Sequence, residues 1–204
     1  ASVIVTVYNP PVVICPPDFS LCIDNGVIYM ENLPVIPVSN SSHSVFTGPG
    51  VTPSNPANGW YDFDPLAAGP GTHTITYTYT DINGCSNSCT FDISVNDLPV
   101  VSCPPDIAIC INAGVIYLES LSVSPPSMDA NSVFSGTGVT PFLPAQGMYD
   151  FNPLTAGPGT HLITYTYTDA NGCSNFCTFN ITVNDLPSVS CPPPDISMCL
   201  NAPA

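Results

Sequence analysis

Neither lysine nor arginine occurs in these 204 residues, which carry 15 aspartates and glutamates and a formal net charge of -15. The absence excludes every salt bridge to Lys or Arg as a source of stability. It also removes the cleavage sites of trypsin-like proteases, and the lack of lysine excludes Lys-Asn isopeptide cross-links. Nucleic-acid phosphates and anionic membrane surfaces are met by basic side chains, so neither is expected as a partner; cations are the natural counterions. Long apolar runs are missing too: the stretches are a few residues, far short of the ~20 needed to cross a bilayer, and no membrane insertion is expected. No basic, apolar-cored leader opens the chain, so any export signal is expected to have been removed or to lie upstream.

What is present is repetition. Shifted by 88 residues the chain matches itself without a gap, Val12–Pro99 against Val100–Pro187, with 60 of 88 positions identical. Residues 1–11 align with 89–99, and 188–204 begin a further copy with one extra proline. The expected organisation is therefore the end of a preceding repeat (1–11), two complete repeats (12–99 and 100–187) and the start of another (188–204). A tandem array of this period points to stacked domains and a structural or adhesive role.

Within each repeat, short runs of Val, Ile, Thr, Tyr and Phe alternate with clusters of Gly, Pro, Asn and Asp at the spacing of sandwich strands. The clearest run is 72–80, where Ile75, Tyr77 and Tyr79 fall on one face and Thr74, Thr76 and Thr78 on the other. The turn Asp81-Ile82-Asn83-Gly84 then returns the chain into 89–95, which makes a terminal β-hairpin. Further strands are expected at 17–23, 26–31, 44–47, 50–52 and 60–63. No segment reads as a helix. The expected fold class is all-β: tandem immunoglobulin-like β-sandwiches of about seven strands per repeat. The 25 prolines stiffen turns and blunt sheet edges.

Ten cysteines recur at equivalent positions. Each repeat has Cys-x6-Cys near its start (Cys15 and Cys22; Cys103 and Cys110) and Cys-x3-Cys near its end (Cys85 and Cys89; Cys173 and Cys177). Zinc sites favour closer ligand pairs and often recruit histidine, so the spacing points to disulfides and hence to an extracellular setting. Four cysteines allow three connectivities. Cys15 to Cys22 is disfavoured, since seven extended residues span about 23 Å and bonded cysteines hold their Cα atoms roughly 4.4 to 6.8 Å apart. The other two connectivities remain open on spacing.

The strings VFTGPGVTP and YDFDPLAAGPGTHTITYTYTDINGCSNSCTFDISVNDLP, with their second copies, resemble the Ig-like repeats of giant Bacteroidota surface adhesins exported by type IX secretion. The CPPD opening and the CTF strand resemble hyalin-type (HYR) repeats, which are also Ig-like. The resemblance covers essentially the whole chain. It implies a stalk, and it implies a disulfide pattern, because related repeats with a single pair keep the equivalents of Cys22 and Cys85. The pairing expected on that basis is Cys22–Cys85 with Cys15–Cys89, and Cys110–Cys173 with Cys103–Cys177.

The chain is expected not to be an enzyme. It has no nucleophile elbow and no histidine-carboxylate pair at motif spacing, and His73 and His161 share one position at the start of the longest strand. Trp60 (Met148 in the second copy) and Tyr61 are expected in the core or an interface. Calcium is the candidate ligand, for a junction built from Asn96, Asp97, Asp106 and Asp169; the alternative for these residues is ordinary turn formation. Threonine and tyrosine surfaces favour lateral association, so the expected partners are neighbouring repeats of the same chain, further copies in a multi-chain fibre, and another cell or surface. The expected function is a stalk or fibre module of a large extracellular adhesin or appendage. The alternative is a module that grips a glycan or cell-surface protein through the loops where the copies differ, 34–43 and 54–55 against 122–131 and 142–143.

Overall fold

The computed structural model describes residues 2–127 and 130–190. Cys191 and Cys199, and most of the expected further repeat, lie outside them. The chain divides into two compact units, Ala1–Val101 with Thr166–Phe176, and Ser102–Tyr165 with Cys177–Ala204. The tip of the second terminal hairpin thus belongs with the first unit.

Seven strands fall in residues 12–99: β1 (Phe19–Cys22), β2 (Ile28–Tyr29), β3 (Ser44–Thr47), β4 (Val51–Asn55), β5 (Trp60–Phe63), β6 (Gly71–Thr80) and β7 (Ser86–Asn96). They form a four-stranded sheet in the order β1-β7-β6-β3 and a three-stranded sheet in the order β2-β5-β4. The same pattern recurs in β8 (Ile107–Cys110), β9 (Ile116–Tyr117), β10 (Ser132–Ser135), β11 (Val139–Leu143), β12 (Met148–Phe151), β13 (Gly159–Thr168) and β14 (Ser174–Asn184). Their sheets are ordered β10-β13-β14-β8 and β11-β12-β9. The fold is all-β, a tandem pair of Ig-like sandwiches.

Alternation drives the packing. On β6 the side chains of Ile75 and Tyr77 are fully buried, and on β7 Phe91, Ile93 and Val95 join them. Phe46 of β3, Phe63 of β5 and Met30 close the core from the other strands. Tyr61 is buried against Phe46, whereas Trp60 is 42% exposed, so only one of this expected pair serves the core. The opposite face of the β6–β7 ladder is a row of hydroxyls, with Thr72 on Ser94, Thr74 on Asp92 and Thr80 on Ser86. Gly59 has φ +73°, and a Cβ there would lie 2.5 Å from the Ser41 carbonyl oxygen, so only glycine fits.

Two one-turn helices correct the helix-free expectation: α1 (Pro65–Ala68) and α2 (Pro153–Ala156). Asp64 caps α1 by accepting from the Leu66 N–H at 2.9 Å, and Asn152 does the same for Leu154. The signature Asp/Asn-Pro-Leu-x-Ala-Gly is a helix start and stop with only one turn between, too short for any apolar periodicity.

The buried Tyr77 hydroxyl donates to the Pro37 carbonyl and lies 3.2 Å from Ser44 Oγ. Tyr77→Phe leaves that carbonyl without its donor and is expected to cost about 2 kcal/mol. Burial pushes the Tyr77 phenol above its ordinary 10.0, against the lowering effect of the Ser44 hydrogen bond. Above that pH the unfolded chain releases a proton that the folded chain retains, so stability falls as pH rises. Thermal melts should therefore place the variant well below the wild type at pH 8 and closer to it at strongly alkaline pH.

Candidate functional site at the hairpin cysteines

The parallel ladder of β1 on β7 sets the positions of the cysteines. Phe19 lies opposite Ile93 and Cys22 opposite Asn96, a constant offset of 74 residues. Carried back along the chain, that offset sets Cys15 opposite Cys89, and the two are bonded with Cα atoms 5.8 Å apart. It also sets Asp18 on Asp92, whose N–H it binds at 2.8 Å. In the second repeat β8 and β14 keep the same offset, and Cys103 is bonded to Cys177.

Cys22 departs from the expected pairing. It is bonded to Cys173, 151 residues away, and Cys85 and Cys110 carry free thiols. The ladder register explains why Cys22 does not reach Cys85. Cys22 lies opposite the last residue of β7, and Cys85 just precedes the first, so roughly 36 Å of strand separates the two levels. The same register keeps Cys110, opposite Asn184, from Cys173 at the far end of β14. A signal for this was in the sequence: Cys15 and Cys89 are 74 apart and so are Cys103 and Cys177, and no second in-register pair exists at that offset.

Around Cys173 the hairpin is tightly organised. Asp169 Oδ1 accepts from the N–H groups of Asn171 and Cys173, both at 2.9 Å, and Asn175 Nδ2 donates to the Pro99 carbonyl at 2.9 Å. Asp81 serves the Cys85 turn in the same way. There Asn87 Nδ2 donates to the Pro11 carbonyl, and Cys85 Sγ lies 4.0 Å from the Tyr8 carbonyl oxygen. Pro11 and Tyr8 are the repeat equivalents of Pro99 and Asn96.

Each calcium candidate has its own surroundings. Asn96 lies in register with Cys22, and the Asp169 turn is tied to that strand end by Cys173. Asp97 Oδ1 accepts from the Leu98 N–H. Asp106 lies opposite Asn180 in the middle of β14, because the 74-residue offset applies to it as well. It accepts from the Asn180 amide side chain and N–H, which hold its carboxyl below the ordinary range. Among the described residues no group of three or more His, Cys, Asp and Glu is arranged to hold a metal ion. His73 and His161 are strand-end residues whose Nε2 atoms lie 2.8 Å from the carbonyl oxygens of Gly69 and Gly157.

No known family description matches the chain. Among curated proteins it is similar to hyalin of Strongylocentrotus purpuratus, 28% identical over 131 residues, which cover 59% of this chain and 10% of hyalin. The chain thus spans about a tenth of that protein's length. Among solved structures it is similar to an adhesin described as Ca2+-stabilised and as helping an Antarctic bacterium reach out and bind ice. That likeness has a TM-score of 0.43 at 14% identity, covering 88% of this chain and 50% of the other. It is also similar to the insect immune protein hemolin, with a TM-score of 0.40 at 12% identity, covering 84% of this chain and 46% of hemolin.

The three disulfides among the described residues belong to oxidising surroundings, and the protein is extracellular. Among the described residues no helix is long and apolar enough to cross a membrane. One feature of each sandwich escaped the sequence reading. Glu31 Oε2 and Asp62 Oδ1, and equally Glu119 Oε2 and Asp150 Oδ1, are buried without a hydrogen-bond partner among the described residues. Strand alternation places Asp62 between the buried Tyr61 and Phe63 on the outward face, and the burial of its oxygen arises from tertiary packing that alternation does not report.

Proposed function

We propose that the chain is a stalk or fibre module of a large extracellular adhesin or surface appendage, built of the repeats 12–99 and 100–187 with parts of neighbouring repeats on either side. The observation that carries this reading is the Cys22–Cys173 bond, which joins one repeat covalently to the next. A module whose task is to transmit tension gains from such a bond; one that presents a binding loop does not need it. The strings that resemble Bacteroidota adhesin repeats favour export by the type IX route. Its partners are neighbouring repeats, further copies of the chain in a fibre, and at the tip another cell or surface.

Lateral association would use the hydroxyl face of β6 and β7, with carboxylates kept at the rim of the contact. Sedimentation and electron microscopy at micromolar concentration test this: the expected result is filaments wider than one sandwich. A strictly monomeric rod would leave the single-stalk form. The binding-module reading is favoured by one observation, the exposed Phe142 and Leu143 where the first repeat has Ser54 and Asn55. Glycan or cell binding lost on Phe142→Ser would move the function to that loop.

A further inference from the structure

Cys85 and Cys110 are the repeat equivalents of Cys173 and Cys22, the two residues that are bonded to each other. The surroundings repeat as well as the residues. Cys173 meets a strand end at Cys22 opposite Asn96, and its hairpin is held by Asn175 on Pro99. Cys85 faces Tyr8, the equivalent of Asn96, and its hairpin is held by Asn87 on Pro11. The Cys85 site therefore contains the segment of Tyr8 and Pro11, which aligns with the end of β7 and the linker after it, and lacks only the opening-strand cysteine beside it. Cys110, opposite Asn184 at the end of β8, is exposed and lacks only a hairpin cysteine.

We infer that Cys85 and Cys110 are the two half-sites of one repeat-to-repeat disulfide joint: Cys110 takes the hairpin cysteine of a following repeat, and Cys85 the opening-strand cysteine of a preceding one. The inference rests on the stalk reading only in requiring an array of such repeats. With a small-molecule disulfide as oxidant, the Cys110 thiolate attacks one sulfur and expels one thiolate. The hairpin thiolate then attacks the Cys110 sulfur of the mixed disulfide and expels the second. Two thiols lose two protons and two electrons, and the oxidant leaves as two thiols.

The joint gives an array two covalent paths. One follows the backbone from repeat to repeat, and the other passes through hairpin and opening-strand cysteines.

The test compares the full chain with the same chain carrying one further copy of residues 100–187 inserted after Pro187, both equilibrated with reduced and oxidised glutathione. Alkylation under native conditions, followed by peptic mapping, is expected to label Cys85 and Cys110 in the first. In the second, the Cys110 label should be lost and Cys110 recovered joined to the hairpin cysteine of the inserted copy. Full labelling of Cys110 in the longer chain, or its bonding to any other cysteine, would overturn the inference. A second variant guards against misfolding of the longer chain. In Cys22→Ser, Cys173 and Cys110 should both become alkylated, whereas a Cys110–Cys173 bond would show that the joint forms within one repeat. These outcomes read covalent pairing alone, so a stalk without the joint and a jointed array that is not a stalk remain distinguishable.

Discussion

Pulled between Val12 and Pro187 in a force spectrometer, the oxidised chain is expected to show no unfolding step the size of a sandwich, and after reduction to lengthen by several hundred ångströms. The covalent path explains both results. Tension entering at Cys15 reaches Cys177 by seven residues to Cys22, the bond to Cys173 and four residues more, a contour of about 45 Å. A parallel path crosses from Cys15 to Cys89, follows fourteen residues to Cys103 and crosses to Cys177. Without disulfides the same two points are separated by 162 residues, about 550 Å when extended. The strands β2–β6 and β9–β13 lie outside either short path, so most of each sandwich is bypassed. Because the paths are parallel, Cys22→Ser alone should leave the chain inextensible, and so should Cys15→Ser. The double variant should release about 300 Å, the contour from Val12 to Cys103. Sandwich-sized steps in the untreated oxidised chain would refute the double path.

Strand periodicity was legible because each strand reports its own burial. Ile75, Tyr77, Phe91, Ile93 and Val95 alternate with polar residues, and alternation of period two survives any tertiary arrangement. The helices α1 and α2 were not legible, since four residues between Asp64 and Gly69 give no period to detect. The Cys22 partner failed for a different reason. A pairing carried over from repeats with a single disulfide assumes that Cys22 and Cys85 approach within one sandwich, whereas the parallel register of β1 on β7 sets them at opposite ends of the closing strand. That register was within reach, because Cys15 and Cys89 share their spacing with Cys103 and Cys177. The same register sets Asp106 opposite Asn180, whose N–H it accepts. Local pattern thus determines which face is buried, and a single ladder offset determines which residues meet.

Cleavage of the linker between repeats offers the sharpest contrast in outcome. With a recognition site for a sequence-specific protease inserted between Pro99 and Val100, the cut chain has two pieces, 1–99 and 100–204. Cys15–Cys89 lies wholly in the first and Cys103–Cys177 wholly in the second, so neither holds the pieces together. Among the disulfides of the described residues only Cys22–Cys173 crosses the cut. A non-reducing denaturing gel of the oxidised, cut chain should therefore show one band at the full mass, which reduction converts into two. Cys22→Ser or Cys173→Ser should give two bands without reductant. Pairing of Cys22 with Cys85 and of Cys110 with Cys173 would also give two bands from the unmodified cysteines, so a single gel lane separates the two connectivities. The functional consequence follows from the same geometry. A chain without Lys or Arg already offers no trypsin-type site, and a bond spanning the linker means that a nick by any other protease in the segment of Asp97, Leu98 and Pro99 leaves the two repeats attached and able to carry tension.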